Sequence, residues 1–174
     1  AKQSGRACWR LYSASDSETQ RIQEHVQWEA RIRRALENDQ FILFYQPVIH
    51  VVSRKTYAYE ALLRMEDRDG KLISPGKFLE TAERLGLSAL IDFMVLRKAA
   101  RRLLGLVNES ESLIVSLNLS EKTLQDKALV TQVEAALCDN PVLNGRIQFE
   151  VREGIAQENL AAVRRLADCL KNFG

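Results

Sequence analysis

Histidine and cysteine are scarce in this chain of 174 residues, and their scarcity closes off several kinds of chemistry. Cys8, Cys138 and Cys169 are odd in number and lack zinc-like spacing, so neither a disulfide framework nor a structural zinc is indicated. Cys138 and Cys169 fall among helical residues and are expected to be buried or half-buried thiols. His25 and His50 are too isolated for a histidine-based metal site and read as surface or boundary residues. The free thiols fit a reducing cytoplasm, and the sequence shows neither an apolar run of membrane-spanning length nor a signal peptide. Anchoring through upstream segments of a longer parent stays open. Charge of one sign is also missing. With 25 Lys+Arg against 23 Asp+Glu, a net +2 makes no electrostatic case for duplex DNA or RNA as the main partner. No low-complexity segment or internal repeat stands out. The chain opens on Ala1 rather than on methionine and reads as part of something longer.

What is present is an ordinary globular composition, 46% hydrophobic and 28% charged, long enough for one domain with a sizeable core. Residues 1–17 are polar, a tail and linker. Ser15 and Glu18 have capping-box spacing, and Ile22, Val26, Ala30 and Leu36 approximate a helical stripe that Asn38-Asp39 ends. Residues 41–52 read as a strand interrupted by Pro47, and residues 56–66 as a second strand after a short turn at Arg54-Lys55. Asp69-Gly70 marks a turn. A helix then runs from Pro75 to Leu85 with Gly86 as its C-cap, and another over residues 89–107. Residues 113–120 form a third strand, about 121–138 a helix, 141–145 a turn, 146–151 a fourth strand and 157–173 a last helix. The alternation argues for parallel βαβ units, whereas the short turn between the first two strands permits only an antiparallel pairing. A closed barrel of this class needs eight strands and roughly 250 residues. The expected fold is therefore an α/β, TIM-like (β/α)8 barrel with an antiparallel first strand, of which this chain covers about the first half.

Three of the apolar runs carry an oxygen ligand at or near their downstream end: Glu60, Asn118 and Glu150. A lone carboxylate in a strand core is costly, so three such intrusions at matching places suggest a purpose. Barrel enzymes place their chemistry at the carboxyl ends of their strands. Strand period puts Ala58, Glu60, Leu62 and Arg64 on one face, a ligand and a phosphate-type cation on one wall. Ser116, Asn118 and Ser120 share a face, as do Gln148, Glu150 and Arg152. Each strand thus offers an apolar face to covering helices and a polar face to a shared interior. Oxygen donors select Mg2+, Mn2+ or Ca2+ over Zn2+. From spacing alone, Glu60 and Glu150 as ion-pair partners of arginines is an equally open reading.

Glu60-Ala61-Leu62, continuing to Leu63-Arg64, resembles the signature of the EAL domain, the bacterial cyclic di-GMP phosphodiesterase module. Tyr45-Gln46-Pro47-Val48 resembles the family's YQPI strand, and Pro75, Phe78, Ala82-Glu83 and Gly86-Leu87 its PxxFxxxAExxGL helix. Leu117-Asn118-Leu119-Ser120 resembles VNLS, and Phe149 through Glu153 resembles LEITE. More weakly, Ala1-Lys2, Gly5-Arg6 and Tyr12 resemble the tail that closes a GGDEF domain. The implied division is a GGDEF-like tail over 1–14, a linker helix over 15–39 and the N-terminal half of an EAL barrel over 40–174.

The resemblance implies hydrolysis of cyclic di-GMP to linear pGpG by a metal-activated water in the intact domain. It implies that Glu60, Asn118 and Glu150 hold Mg2+ or Mn2+, with Glu60 central to catalysis. It also implies that Gln46 and Arg64 contact the dinucleotide, Arg64 at a phosphate, and that Glu153 steadies a loop beside the metals and a homodimer contact. Two departures bear on this. Arg152 stands where the family usually has threonine, a cation that would either repel metal or pair with Glu153. The family's DDF segment and later Lys, Glu and Gln do not occur, so this stretch alone is not expected to hydrolyse anything. Two other readings stand beside the enzyme: a degenerate EAL domain that binds cyclic di-GMP without cutting it, and a dimerisation or signalling piece attached to a cyclase domain.

Overall fold

The computed structural model describes residues 17–106 and 113–174, with side chains from residue 26 onward. The GGDEF-like stretch, Cys8 and the capping box at Ser15 lie outside those described residues. Helix α1 (Ser17–Glu37) ends where the Asn38 side chain donates to the Arg34 carbonyl at 3.0 Å and Asp39 turns left-handed at φ 55°. Strand β1 (Phe41–Ile49) then pairs antiparallel with β2 (Thr56–Glu66). The strand expected to reach Val52 stops at Ile49, because residues 50–55 close the turn: the His50 amide donates to the Lys55 carbonyl at 2.9 Å, and Arg54 takes φ 54°. Pro47, which cannot donate to a ladder, sits in a strand whose only partner in the described sheet is β2. A register shift follows between Val48 and Ile49.

A two-residue strand that the sequence did not announce, β3 (Leu72–Ile73), pairs with the end of β2. The helix expected from Pro75 is a 3-10 turn (Pro75–Lys77) and α2 (Leu79–Arg84), meeting at the fully buried Phe78. Gly86, at φ 70°, stops α2 as its sequence position implied. After α3 (Ser88–Leu106) comes β4 (Val115–Asn118), parallel to β2. The single helix expected over 121–138 is two, α4 (Glu121–Gln125) and α5 (Ala128–Cys138). Asp126 is extended at ψ 126°, and its carboxylate accepts from the Ala128 amide at 2.8 Å to restart the helix. Strand β5 (Ile147–Glu150) lies parallel to β4. The last helix also begins earlier and is divided by Asn159 into α6 (Glu153–Glu158) and α7 (Leu160–Leu170).

The sheet order is β1-β2-β4-β5, with β3 attached to β2. One face carries the core. Phe41, Ala61, Met65, Val115, Leu117 and Ile147 point to the helices and are buried there. Phe41 meets Phe78 of the covering layer with ring centroids 5.6 Å apart and planes tilted by 55°, an arrangement worth about 0.5–1.5 kcal/mol beyond area burial. Cys169 is buried on α7, as expected, but Cys138 at the end of α5 is exposed, against the expectation of a buried or half-buried thiol. No described helix is long and apolar enough to cross a membrane.

Candidate functional site

The other face of the sheet gathers the polar residues. Cα partners in register place their side chains on the same side, so the pairings sort them into rows. One row runs Gln46, Glu60, Ser116, Gln148 across β1, β2, β4 and β5. One step toward the carboxyl ends of the parallel strands, Asn118 pairs with Glu150, and Phe44 with Leu62. A further step along β2 places Arg64 opposite Ile42. The alternation read from the sequence therefore holds in space: Glu60, Arg64, Asn118 and Glu150 share a face with Gln46.

Asn118 and Glu60 touch. The Asn118 Nδ2 donates to Glu60 Oε1 at 2.8 Å, joining strands 58 positions apart in the chain. The backbone holds the second pair of strands in step just beyond, where the Leu119 amide donates to the Glu150 carbonyl at 2.9 Å. Glu60 is half-buried and Asn118 and Glu150 are exposed, on the sheet face opposite the helices. Among the described residues the ion pairs lie elsewhere, and neither Glu60 nor Glu150 joins one. Arg64 turns away: its Nη1 donates to the Leu63 carbonyl at 2.8 Å, and its guanidinium lies 5.7 Å from the centre of the Phe44 ring.

Arg152 and Glu153 follow β5 directly, both exposed, Arg152 as the N-cap position of α6 and Glu153 in its first turn. Glu153 accepts from Gln157 Nε2 at 3.1 Å and forms no ion pair with Arg152 among the described residues. Gln46 is exposed on β1.

These residues fit a hard cation better than any other ligand class. Two carboxylates outside any ion pair among the described residues, and one carboxamide whose Nδ2 is engaged by Glu60, leave an all-oxygen donor set, the chemistry that magnesium and manganese select. In the same row, the Ser116 hydroxyl is buried without a hydrogen-bond partner among the described residues, an unspent polar atom beside Glu60. No three His, Cys, Asp or Glu converge on one point among the described residues, so the carboxylates alone do not complete a site.

The profile of the EAL domain matches residues 29–174. The chain belongs to the EAL domain family. It is similar to the signaling protein YkoW of Bacillus subtilis, 30% identical over 176 residues that take in 100% of this chain and 22% of YkoW. It is similar as well to the bifunctional diguanylate cyclase/cyclic di-GMP phosphodiesterase MucR of Pseudomonas aeruginosa, 31% identical over 175 residues, 100% of this chain and 25% of MucR. The chain thus spans about a quarter or less of the length of these two relatives. In three dimensions it resembles the PaMucR phosphodiesterase solved in complex with c-di-GMP, at 32% identity and a TM-score of 0.75, over 82% of this chain and 60% of that one. The fold is accordingly that of the EAL (β/α)8 barrel, and the described residues form an open part of it.

The sequence reading passed over one polar cluster next to Asn118. Asp92 on α3 is half-buried, and its Oδ2 accepts from the Ser120 amide at 2.8 Å and from Thr123 Oγ1 at 2.6 Å. Burial raises its pKa, and those donors lower it part of the way back. A signal was available: Asp92 interrupts an apolar stripe made by Ile91, Met94 and Val95, all buried.

Proposed function

We propose that the protein carrying this EAL domain hydrolyses cyclic di-GMP to linear pGpG, using Mg2+ or Mn2+ held on the polar face of the sheet. The observation that carries the reading is the contact of Asn118 with Glu60 on a sheet face that also holds Glu150. Relatives named as cyclic di-GMP phosphodiesterases support the substrate, among them NbdA of Pseudomonas aeruginosa, 30% identical over 88% of this chain.

Glu60, Asn118 Oδ1 and Glu150 would hold the cation. When bound, such a cation lowers the pKa of a coordinated water and stabilises charge on a phosphoryl oxygen. The chain's own residues do the rest of what this face contributes. Arg64 supplies a planar, permanently charged donor fork that matches a phosphate, and stacking on Phe44 restricts where the fork points. Gln46, in the same row as Glu60, offers an amide to the dinucleotide. Glu153 steadies the start of α6 through Gln157 beside that face, and homodimerisation through the EAL domain belongs to the same proposal. Residues 1–14 as the close of a GGDEF domain and 15–39 as a linker helix into the barrel complete the arrangement.

The deciding experiment is turnover of cyclic di-GMP by the intact protein with and without Mg2+ or Mn2+, following pGpG by chromatography. Metal-dependent pGpG formation that Glu60→Ala abolishes is the expected result. Retained nucleotide binding without turnover would instead mark a sensor, and unchanged turnover in Glu60→Ala would refute the ligand assignment.

A further inference from the structure

Asp92 is a half-buried carboxylate that the proposed chemistry does not use. Among the described residues no cation accompanies it; its partners are the Ser120 amide and the Thr123 hydroxyl. A residue facing a helix–sheet core has no packing reason to be an aspartate, since an unpaired buried carboxylate is costly unless its donors compensate. Nor does α4 need it as a cap. Ser120 already serves there, with its Oγ accepting from the Thr123 amide at 3.3 Å.

What Asp92 adds is a second anchor on the chain just past Asn118. The Leu119 amide is tied to Glu150 of β5 on one side, and the next amide, Ser120, is tied to Asp92 of α3 on the other. The Thr123 hydroxyl, fully buried, lies 2.8 Å from Ser120 Oγ and 2.6 Å from Asp92 Oδ2, closing a three-residue knot. The side-chain direction of Asn118 follows from the backbone path through residues 118–120, and that path is pinned from two elements.

We infer that Asp92 is a positioning residue. By fixing the backbone at Leu119–Ser120 it holds the Asn118 carboxamide with Nδ2 on Glu60 and Oδ1 turned to the cation. This rests on the reading of Glu60, Asn118 and Glu150 as a cation site. A purely structural Asp92 would affect folding and leave cation affinity alone.

The test titrates the full-length protein with Mn2+ alone and reads free Mn2+ by electron paramagnetic resonance, scoring the binding that Asn118→Ala removes. Asp92→Ala should weaken that binding about ten- to a hundredfold, the usual scale for a residue supporting a metal ligand, while Asp92→Asn, which keeps an acceptor oxygen, should stay within about threefold of wild type. Wild-type Mn2+ affinity in Asp92→Ala, whatever its melting temperature, would overturn the proposal. If Asp92→Ala does not fold, Thr123→Val removes one of the two donors with little change of shape. It should weaken binding about tenfold, the low end of that scale, and binding within about threefold of wild type would overturn the proposal equally. If Asn118→Ala itself removes no Mn2+ binding, the cation-site reading fails first and the role of Asp92 falls with it.

Discussion

Asn118 donates from Nδ2 to Glu60 Oε1 at 2.8 Å, across a gap of 58 residues in sequence. That single bond orients two groups at once. With Nδ2 spent on Glu60, the carboxamide presents Oδ1, its only acceptor, to whatever lies between the strands. Glu60 keeps Oε2 out of that bond, and no arginine or lysine pairs with it among the described residues. Glu60→Gln preserves the shape and an acceptor for Asn118 but removes the charge. We expect turnover to drop at least about a hundredfold, because supporting residues alone cost ten- to a hundredfold and a ligand costs no less. Nucleotide affinity measured in the same variant should change far less; equal losses in both would point to a folding defect.

Arg64 is held by two contacts, the Leu63 carbonyl and the Phe44 ring, and Phe44 is 45% exposed. Its removal should therefore spare the core. A cation–π contact at an exposed position contributes about 0.5–1 kcal/mol, so Phe44→Ala should weaken cyclic di-GMP binding about two- to fivefold with little change in melting temperature. Arg64→Lys should cost more, because lysine lacks the planar fork that matches phosphate. Calorimetric titration of both variants with the nucleotide would check the order.

Phe78 is fully buried and stacks against Phe41 where the 3-10 turn meets α2. Phe78→Ala leaves a ring-sized cavity between helices and sheet, and should destabilise the domain by about 3–5 kcal/mol. Phe78→Leu keeps most of the volume and should lose less. Denaturant midpoints of the two variants give the comparison. A Phe78→Ala midpoint equal to that of wild type would show that this contact does not hold the covering layer.

Asp92 gives stability a pH dependence of unusual sign for a carboxylate. Its folded-state pKa is raised above the ordinary 3.8 by burial, so the folded protein retains this proton to higher pH than the unfolded chain. The contribution to stability is fully present below the unfolded pKa and is lost as pH rises through the folded one. Asparagine at the same place has no proton to lose. The difference in unfolding free energy between wild type and Asp92→Asn should therefore move in favour of wild type as pH falls from about 7 to about 4. Denaturant titrations across that range would show it, and a flat or opposite trend would remove the assigned burial effect.

Most of the site was legible because strand period is short and rigid. Two-residue alternation alone put Glu60 with Arg64 and Asn118 with Ser116, and the registers keep those faces. Glu60, Asn118 and Glu150 stand in runs that are apolar on the helix-facing side only, as that alternation implied. The helices were read less well. A continuous apolar period over 121–138 hides a break, because Asp126 can accept from the Ala128 amide and restart the helix without disturbing the stripe. Asn159 does likewise between α6 and α7: its Nδ2 donates to the Ile155 carbonyl at 2.9 Å, while its Oδ1 accepts from Gln125 at 3.0 Å. Strand β3, two residues long, has no period to detect. Asp92 was passed over because a lone aspartate on a helix reads as solvated until its neighbours from another element are known.

The register shift at Val48/Ile49 has a bearing on how this sequence can change length. The hairpin beyond Pro47 accommodates an irregularity, while the rung joining Gln46 to Glu60 stays intact. Between residues 50 and 55, added or deleted positions would be taken up by the turn. Within β4 or β5 the tolerance is nil: one extra residue upstream of Asn118 or Glu150 would swing that side chain to the helix side and bring a leucine or phenylalanine to the open face. Insertions and deletions recovered by random mutagenesis should accordingly cluster at the hairpin tip and be absent from the two short parallel strands.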